Sequence, residues 1–319
     1  MDFIFIFSIF ALLVAFWALI KSADLLIVSS SVLGQRFGLS RFIIGLTIVA
    51  IGTSLPELFT SISGIYKSAD TSSFVVGTIL GSNISNILLI FGVLLFFSKK
   101  FKSSVSNFDI SVFGFSTITL LSLIYLGNFS FLQGFIFLGF YLGYLYYDIH
   151  KKGKDKYKHT NEDEFTKEVE SYSIIKIFLL LGLSLLGLNF SSQGVVFNIE
   201  YIGTILGIPL SYLTLTTVAL ATSLPEAIVT YSSAKNEEYD LAIGNIIGSN
   251  ISNVFFIGGV VGLLKQFNFD SSTFFISSVF LVLATLLFSL VLKKSNVKRS
   301  YGFFVLFLYV IYICGVFLY

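Results

Sequence analysis

The chain has 319 residues, of which 55% are hydrophobic, 17% aromatic and only 12% charged, with a formal net charge of +2 and a mean hydropathy of +0.89. Soluble domains carry roughly one quarter charged residues, so this composition excludes an ordinary soluble fold. The basic residues fall in the loops and give no case for nucleic-acid binding, and the single cysteine, Cys314, excludes an intrachain disulfide.

Taken in order, the first apolar run follows Met-Asp-Phe-Ile-Phe. It has no basic n-region and no small-residue cleavage site, so it reads as a retained span and not as a signal peptide. Apolar runs of about 18–25 residues, each enough to cross a ~30 Å hydrocarbon core, predict ten spans: 3–30, 42–66, 74–97, 108–126, 129–148, 173–195, 212–234, 241–263, 273–292 and 302–318. The strongly polar stretch from Lys151 to Glu170, basic first and acidic second, lies between the fifth and sixth. The reading is an all-α integral membrane protein with ten transmembrane helices as two inverted five-helix repeats. The first repeat is 1–150 with its core at about 42–97, a polar linker occupies 151–172, and the second repeat is 173–319 with its core at about 212–263. Five is odd, so the second half enters from the opposite side of the membrane, an arrangement common in secondary transporters. With the N-terminus outside, the inner loops carry sixteen Lys and Arg, and the outer loops carry only Lys67 and Lys265. That bias places both termini outside a cell membrane and the linker in the cytoplasm.

Two octets are copies of each other: A-I-G-T-S-L-P-E at Ala50–Glu57 and A-L-A-T-S-L-P-E at Ala219–Glu226, offset by 169 (219 − 50). Each is followed by G-S-N-I-S-N, at Gly81–Asn86 and Gly248–Asn253, offset by 167 (248 − 81). A Glu at membrane depth costs several kcal/mol unless a function or partner balances it. Pro56 and Pro225 sit in the octets and cannot bond the carbonyls of Gly52 and Ala221, so both helices are predicted to kink there. Freed carbonyls at that depth are tolerated where they line a cavity.

Helical spacing puts Thr53, Ser54 and Glu57 on one face, and likewise Thr222, Ser223 and Glu226. Ser82 with Asn86, and Ser249 with Asn253, are four residues apart on the following spans. If the repeats meet at a pseudo-two-fold axis, these residues converge on one place. The set is all oxygen with two carboxylates, because His150 and His159 lie at or in the linker. Such a set suits a hard cation such as Ca2+, whereas zinc or copper would favour His or Cys. One Ca2+ balances two ionised Glu, as could sodium ions or protons, so protons should compete with Ca2+. Asn83, Asn250, Ser85 and Ser252 read better as packing residues, and Asp24 as an interfacial partner of Lys21. There is no H-E-x-x-H and no G-x-x-x-x-G-K-[ST], so neither an enzyme nor a nucleotide is expected, and no cofactor.

The paired T-S-L-P-E octets and their G-S-N-x-x-N partners resemble the two α-repeats of the calcium/cation antiporter superfamily, most of all its prokaryotic sodium/calcium exchangers, over essentially the whole chain. The resemblance implies a secondary active antiporter that exchanges Na+ for Ca2+ by alternating access. Glu57 and Glu226 would be the central Ca2+ ligands. Thr53, Ser54, Thr222, Ser223, Ser82 and Ser249 would add oxygens to the calcium and sodium positions. The carbonyls of Ala50 and Ala219 would line flanking sodium positions, with Asn86 and Asn253 beside the centre. The long first and sixth spans would slide across the core. Some members carry Asp at the position of Asn253, and in the potassium-dependent branch that carboxylate is linked to potassium, so the resemblance favours a K+-independent exchanger here. Ala221 in place of Gly52 implies a stiffer second kink. The alternatives are a Ca2+/H+ antiporter of the same fold, told apart by the gradient that drives it, and a cation channel, which would conduct without coupling.

Overall fold

The structure, a computed structural model, describes residues 2–67, 71–98, 105–152, 164–206, 210–268, 274–294 and 297–318. It is all-helical apart from one two-residue strand pair. Helix α1 is Asp2–Arg36. The α2 rod joins Arg41–Ile44, a π-helical turn at Gly45–Val49, Ala50–Thr53 and, past Ser54, Leu55–Lys67. The α3 rod joins Thr71–Ser85, a π turn at Asn86–Ile90 and Phe91–Phe97. Helices α4 (Asn107–Leu126), α5 (Phe131–Lys152) and the short α6 (Glu164–Glu170) follow. Then come α7 (Ile174–Ile205), α8 (Leu210–Lys235) and α9, which joins Tyr239–Ser252, a π turn at Asn253–Ile257 and Gly258–Leu264. Helices α10 (Phe275–Leu292) and α11 (Arg299–Leu318) complete the chain. Among the described residues, eight helical stretches are long and apolar enough to cross a membrane. Helices α5 and α8 coincide with the other two predicted spans and are not among those eight.

Local sequence sets several of these ends. Ser106 and Asp109 form a capping box at the start of α4, and Gly127 closes that helix with φ 66°, a left-handed conformation that suits glycine. Ser130 and Gln133 cap α5 in the same reciprocal way. Helices α1 and α7 outrun their predicted ends at 30 and 195. In α1 the run Ser29-Ser30-Ser31 looks like a loop but stays helical. Ser29 Oγ donates to the Leu25 carbonyl at 2.7 Å and Ser30 Oγ to the Ile27 carbonyl at 3.1 Å, so the hydroxyls are satisfied inside the helix. At 35 residues, or about 50 Å, α1 exceeds the hydrocarbon thickness.

The core has two main parts and a small third cluster of Val32, Leu33, Val169 and Ile177. Helices α2, α3, α4, α5, α9, α10 and α11 share one cluster, in which Phe91, Phe113, Phe255 and Phe288 are fully buried. Helices α1 and α7 pair through Leu19, Ala23, Leu26, Leu188 and Val195, and rest on Val49 of α2, Val229 of α8 and Leu241 of α9. Their outer faces (Phe10, Trp17, Phe178, Phe190) are exposed and suit lipid. Asp24 departs from its predicted pairing with Lys21. It accepts a hydrogen bond from Ser232 on α8, so a polar contact ties the α1–α7 pair to the main body.

Connections sort the loops into two groups. On one side Arg36 donates to the carbonyls of Glu170, at 2.7 Å, and Tyr172. Arg41 lies 3.8 Å from Glu238. Burial lifts the Glu238 carboxyl above its usual range, and the Arg41 guanidinium opposes that. On the other side β1 (Asn128–Phe129) pairs antiparallel with β2 (Phe267–Asn268), and Lys265 Nζ donates to the Ile65 carbonyl at 3.1 Å. Much of the linker, 153–163, lies outside the described residues.

The first half of α2 and the first half of α9 touch backbone to backbone. A Cβ at Gly45 would sit 2.2 Å from the Leu241 carbonyl oxygen, at Gly244 2.3 Å from that of Phe42, and at Gly248 2.4 Å from that of Leu46. Glycine is required at these positions by close approach.

Candidate functional site

The first octet breaks its helix. Ala50–Thr53 ends at Ser54, whose φ of −84° and ψ of 5° leave the helical region, and a new helix starts at Leu55. The second octet does not: α8 runs unbroken through Pro225. A break at the predicted place is therefore seen in the first octet, while α8 continues past Pro225, where a proline bends a helix without ending it. Gly52 stands where the second octet has Ala221, and alanine holds helical geometry better than glycine by about 1 kcal/mol. Past the break, Glu57 lies in the first turn of the new segment.

Both Glu57 and Glu226 are 1% exposed, and each carboxylate accepts from a serine. Ser82 Oγ donates to Glu57 Oε1 at 3.2 Å, and Ser54 Oγ to Glu226 Oε1 at 3.4 Å. Both bonds are longer than the usual 2.7–2.8 Å or so between hydroxyl and oxygen. Ser54 lies three residues before Glu57, so its bond to Glu226 brings the two carboxylates to one place. Asn253 Nδ2 donates to Ser82 Oγ at 3.2 Å and to Asn83 Oδ1 at 3.0 Å. Asn83 Nδ2 in turn donates to the Asn250 carbonyl at 3.4 Å. Thr53 Oγ1 lies 3.2 Å from Asn245 Oδ1 and 3.4 Å from the Ala50 carbonyl. Every bond named here except Ser82–Glu57 and Thr53–Ala50 joins a residue before the linker to one after it. The cluster is the seam between the halves.

Several buried oxygens at this seam have no hydrogen-bond partner among the described residues: Glu57 Oε2, Glu226 Oε2, Ser223 Oγ, Ser249 Oγ, Asn86 Oδ1 and Asn253 Oδ1. Buried polar atoms are nearly always paired, and leaving one unpaired costs about 1–3 kcal/mol, more for a charged group. So many orphaned oxygens in one place fit a hard cation, which would satisfy several at once.

The structure thus brings Thr53, Ser54, Glu57, Ser82, Glu226 and Asn253 to the seam in three hydrogen-bonded sets: Glu57–Ser82–Asn253, Ser54–Glu226 and Thr53–Asn245. Ser223, Ser249, Asn86 and Ala50 are buried, the first three with orphaned polar atoms. The side chains of Thr222 and Ala219 lie outside the described residues. Asn83 cross-links α3 to α9 through Asn253 and the Asn250 carbonyl, the Asn250 side chain donates to the Ile246 carbonyl of its own helix at 2.8 Å, and Ser85 Oγ lies 3.3 Å from the Tyr309 hydroxyl, a packing contact. Sequence reasoning missed Asn245 and Thr230, both buried. The available signal was position: Asn245 is one turn before Ser249, and Thr230 one turn after Glu226. It also missed the π turns that begin at Asn86 and at Asn253, at equivalent points in the two halves. Such turns re-aim side chains and recur at functional sites.

A multi-pass helical protein with a buried, oxygen-only, two-carboxylate centre at the seam of its halves belongs to the class of membrane cation transporters. Comparison with known proteins supplies the family. The model of the family described as sodium/calcium exchanger protein matches residues 7–149 and again 176–318, and the chain belongs to that family. The two matches begin 169 residues apart (176 − 7), the offset of the octets. The sodium/calcium exchanger MaX1 of Methanosarcina acetivorans is 29% identical over 337 residues, covering 94% of this chain and 95% of that one. The inner membrane protein YrbG of Escherichia coli is 30% identical over 298 residues, covering 91% and 90%. A solved structure of the sodium-calcium exchanger NCX_Mj, soaked with Na+ and Ca2+, superposes with a TM-score of 0.79 at 26% identity, covering 98% of this chain and 99% of that one.

Proposed function

We propose that the chain is a Na+/Ca2+ antiporter that works by alternating access and needs no K+. The observation that carries this is the set of orphaned oxygens around Glu57 and Glu226. Two adjacent carboxylates balance the charge of one Ca2+ or of a pair of monovalent cations, so the two loads compete for the same charge. Glu57 and Glu226 hold Ca2+ centrally; Thr53, Ser54, Ser82, Thr222, Ser223 and Ser249 complete its shell and the sodium positions, with the carbonyls of Ala50 and Ala219. Asn86 and Asn253 flank the centre. Asn253 donates to two acceptors at once, which an ionised Asp could not do, and this favours a K+-independent site. The repeat offset shared by both family matches supports two inverted five-helix units, 1–150 and 173–319, and ten spans, with α5 and α8 among them. The grouping of Arg36, Arg41 and the linker's end on one side supports an N-out, C-out orientation in the cell membrane, with 151–172 cytoplasmic.

The test is Ca2+ uptake by proteoliposomes preloaded with Na+, beside controls with a proton gradient or K+ alone. Uptake driven by outward Na+ is the expected result, and addition of K+ leaves it unchanged. Uptake driven only by protons would make the chain a Ca2+/H+ antiporter, and flux that ignored every gradient would make it a channel.

Protons compete for the same carboxylates, since a proton on either one removes charge that Ca2+ requires. Na+-driven uptake is therefore expected to fall severalfold between about pH 8 and about pH 6. A flat profile over that range would remove proton competition from the reading.

A further inference from the structure

A hydroxyl that offers its lone pairs to a cation must hand its proton to some other acceptor. Thr53 has that acceptor in Asn245, whose Oδ1 lies 3.2 Å from Thr53 Oγ1. Asn245 is 0% exposed, and its orientation is held from the far end: Nδ2 donates to Thr230 Oγ1 at 3.4 Å. The amide thus spans three helices, with Thr53 on α2, Thr230 on α8 and Asn245 itself on α9. The internal repeat makes this arrangement one-sided. The offsets of 167 and 169 put Thr78 at the position of Asn245 and Ser61 at that of Thr230. The first half therefore has two hydroxyls where the second has an amide and a hydroxyl.

We infer that Asn245 is a positioning residue for Thr53. It takes the hydroxyl proton, so that the lone pairs of Thr53 face the cation position bounded by the Ala50 carbonyl and the Glu226 carboxylate. The Ala50 carbonyl is 3.4 Å from Thr53 Oγ1, and the next residue, Ser54, donates to Glu226 Oε1 at 3.4 Å. A position made of two neutral oxygens and one carboxylate suits a monovalent ion, whereas the divalent ion needs both carboxylates. Asn245 therefore tunes the response to Na+ more than the response to Ca2+. The identity of the monovalent ion as Na+ rests on the exchange reading above.

The test is a double-mutant cycle read at equilibrium, which needs no transport. The melting temperature of purified protein in detergent is followed against Na+ and, separately, against Ca2+. Asn245→Leu is expected to raise the Na+ concentration for half-maximal stabilisation about tenfold, the size of one misplaced hydrogen bond, and to move the Ca2+ midpoint by less than about threefold. In a Thr53→Val background, Asn245→Leu has no further effect, because the group it positions is gone. Should Asn245→Leu fail to fold, Thr230→Val releases the amide's far end and shifts the Na+ midpoint in the same direction, by about threefold. Equal shifts for Na+ and Ca2+, or a full tenfold effect retained in Thr53→Val, would overturn the inference, as would a wild type whose melting ignored Na+. The exchange reading fails on a different result, the absence of Na+-driven Ca2+ flux in the wild type.

Discussion

Glu57→Gln and Glu226→Gln should each lower Na+-driven Ca2+ uptake by about 100-fold or more, which corresponds to about 2.7 kcal/mol or more of lost cation binding. Each substitution keeps size and shape and removes one negative charge. The remaining carboxylate then faces a divalent ion alone. The new amide keeps one oxygen to accept from Ser82 or Ser54, but it replaces the other, unpaired oxygen with an NH2 group that can only donate and cannot hold a cation. Folding should respond in the opposite sense. The wild-type centre holds two mutually repelling carboxylates, each 1% exposed, and removing one charge relieves that repulsion. In cation-free detergent both variants should melt at or above the wild-type temperature, while Ca2+ should no longer raise it. Uptake assays and melting curves on the same preparations check both halves. Normal exchange in either variant would dismantle the site. Loss of activity together with a fall in cation-free melting temperature would mean that the carboxylates serve folding instead.

The centre was legible in the sequence because its parts are duplicated. Two octets with Thr, Ser, Pro and Glu in fixed spacing, inside apolar runs, leave little room for a packing account of Glu57 and Glu226. The serine at 82 and the asparagine at 253 were legible by the same repetition. Four features were not legible, each for a physical reason. The π turns at Asn86 and Asn253 leave no composition signature, since Asn-Ile-Leu-Leu-Ile and Asn-Val-Phe-Phe-Ile read as ordinary apolar helix. The unequal behaviour of Pro56 and Pro225 depends on whether neighbours hold the helix together, which a proline alone does not encode. Asn245 breaks the repeat, because its counterpart is Thr78, and a search guided by duplication passes over it. The extra length of α1 was hidden by Ser29, Ser30 and Ser31, which mimic a loop only in composition: the hydroxyls of Ser29 and Ser30 bond within the helix.

Gly248→Ala should destabilise the folded protein by about 1–3 kcal/mol, the usual range for overpacking. The added Cβ would lie 2.4 Å from the Leu46 carbonyl oxygen, 2.7 Å from Ala50 Cβ and 2.8 Å from Leu46 Cα. None of these is the far end of a flexible side chain, so α2 and α9 must part by close to an ångström. Gly244→Ala strikes the same interface one turn away, 2.3 Å from the Phe42 carbonyl oxygen, and should behave alike. A fitting control is Gly143→Ala on α5, where a Cβ meets nothing within 4 Å among the described residues and helix propensity should help slightly. Melting temperatures of the three variants decide the matter, and a Gly248→Ala protein as stable as the wild type would show that the helices do not meet so closely. The consequence for ion binding is indirect and specific. The hydrogen bond from Thr53 to Asn245 spans this same interface at 3.2 Å, and a shift of one ångström would break it. Gly248 opens the G-S-N motif, one residue before Ser249. The motif therefore joins a packing role to its proposed binding role: its glycine sets the distance between α2 and α9, and that distance sets how the first octet presents its oxygens.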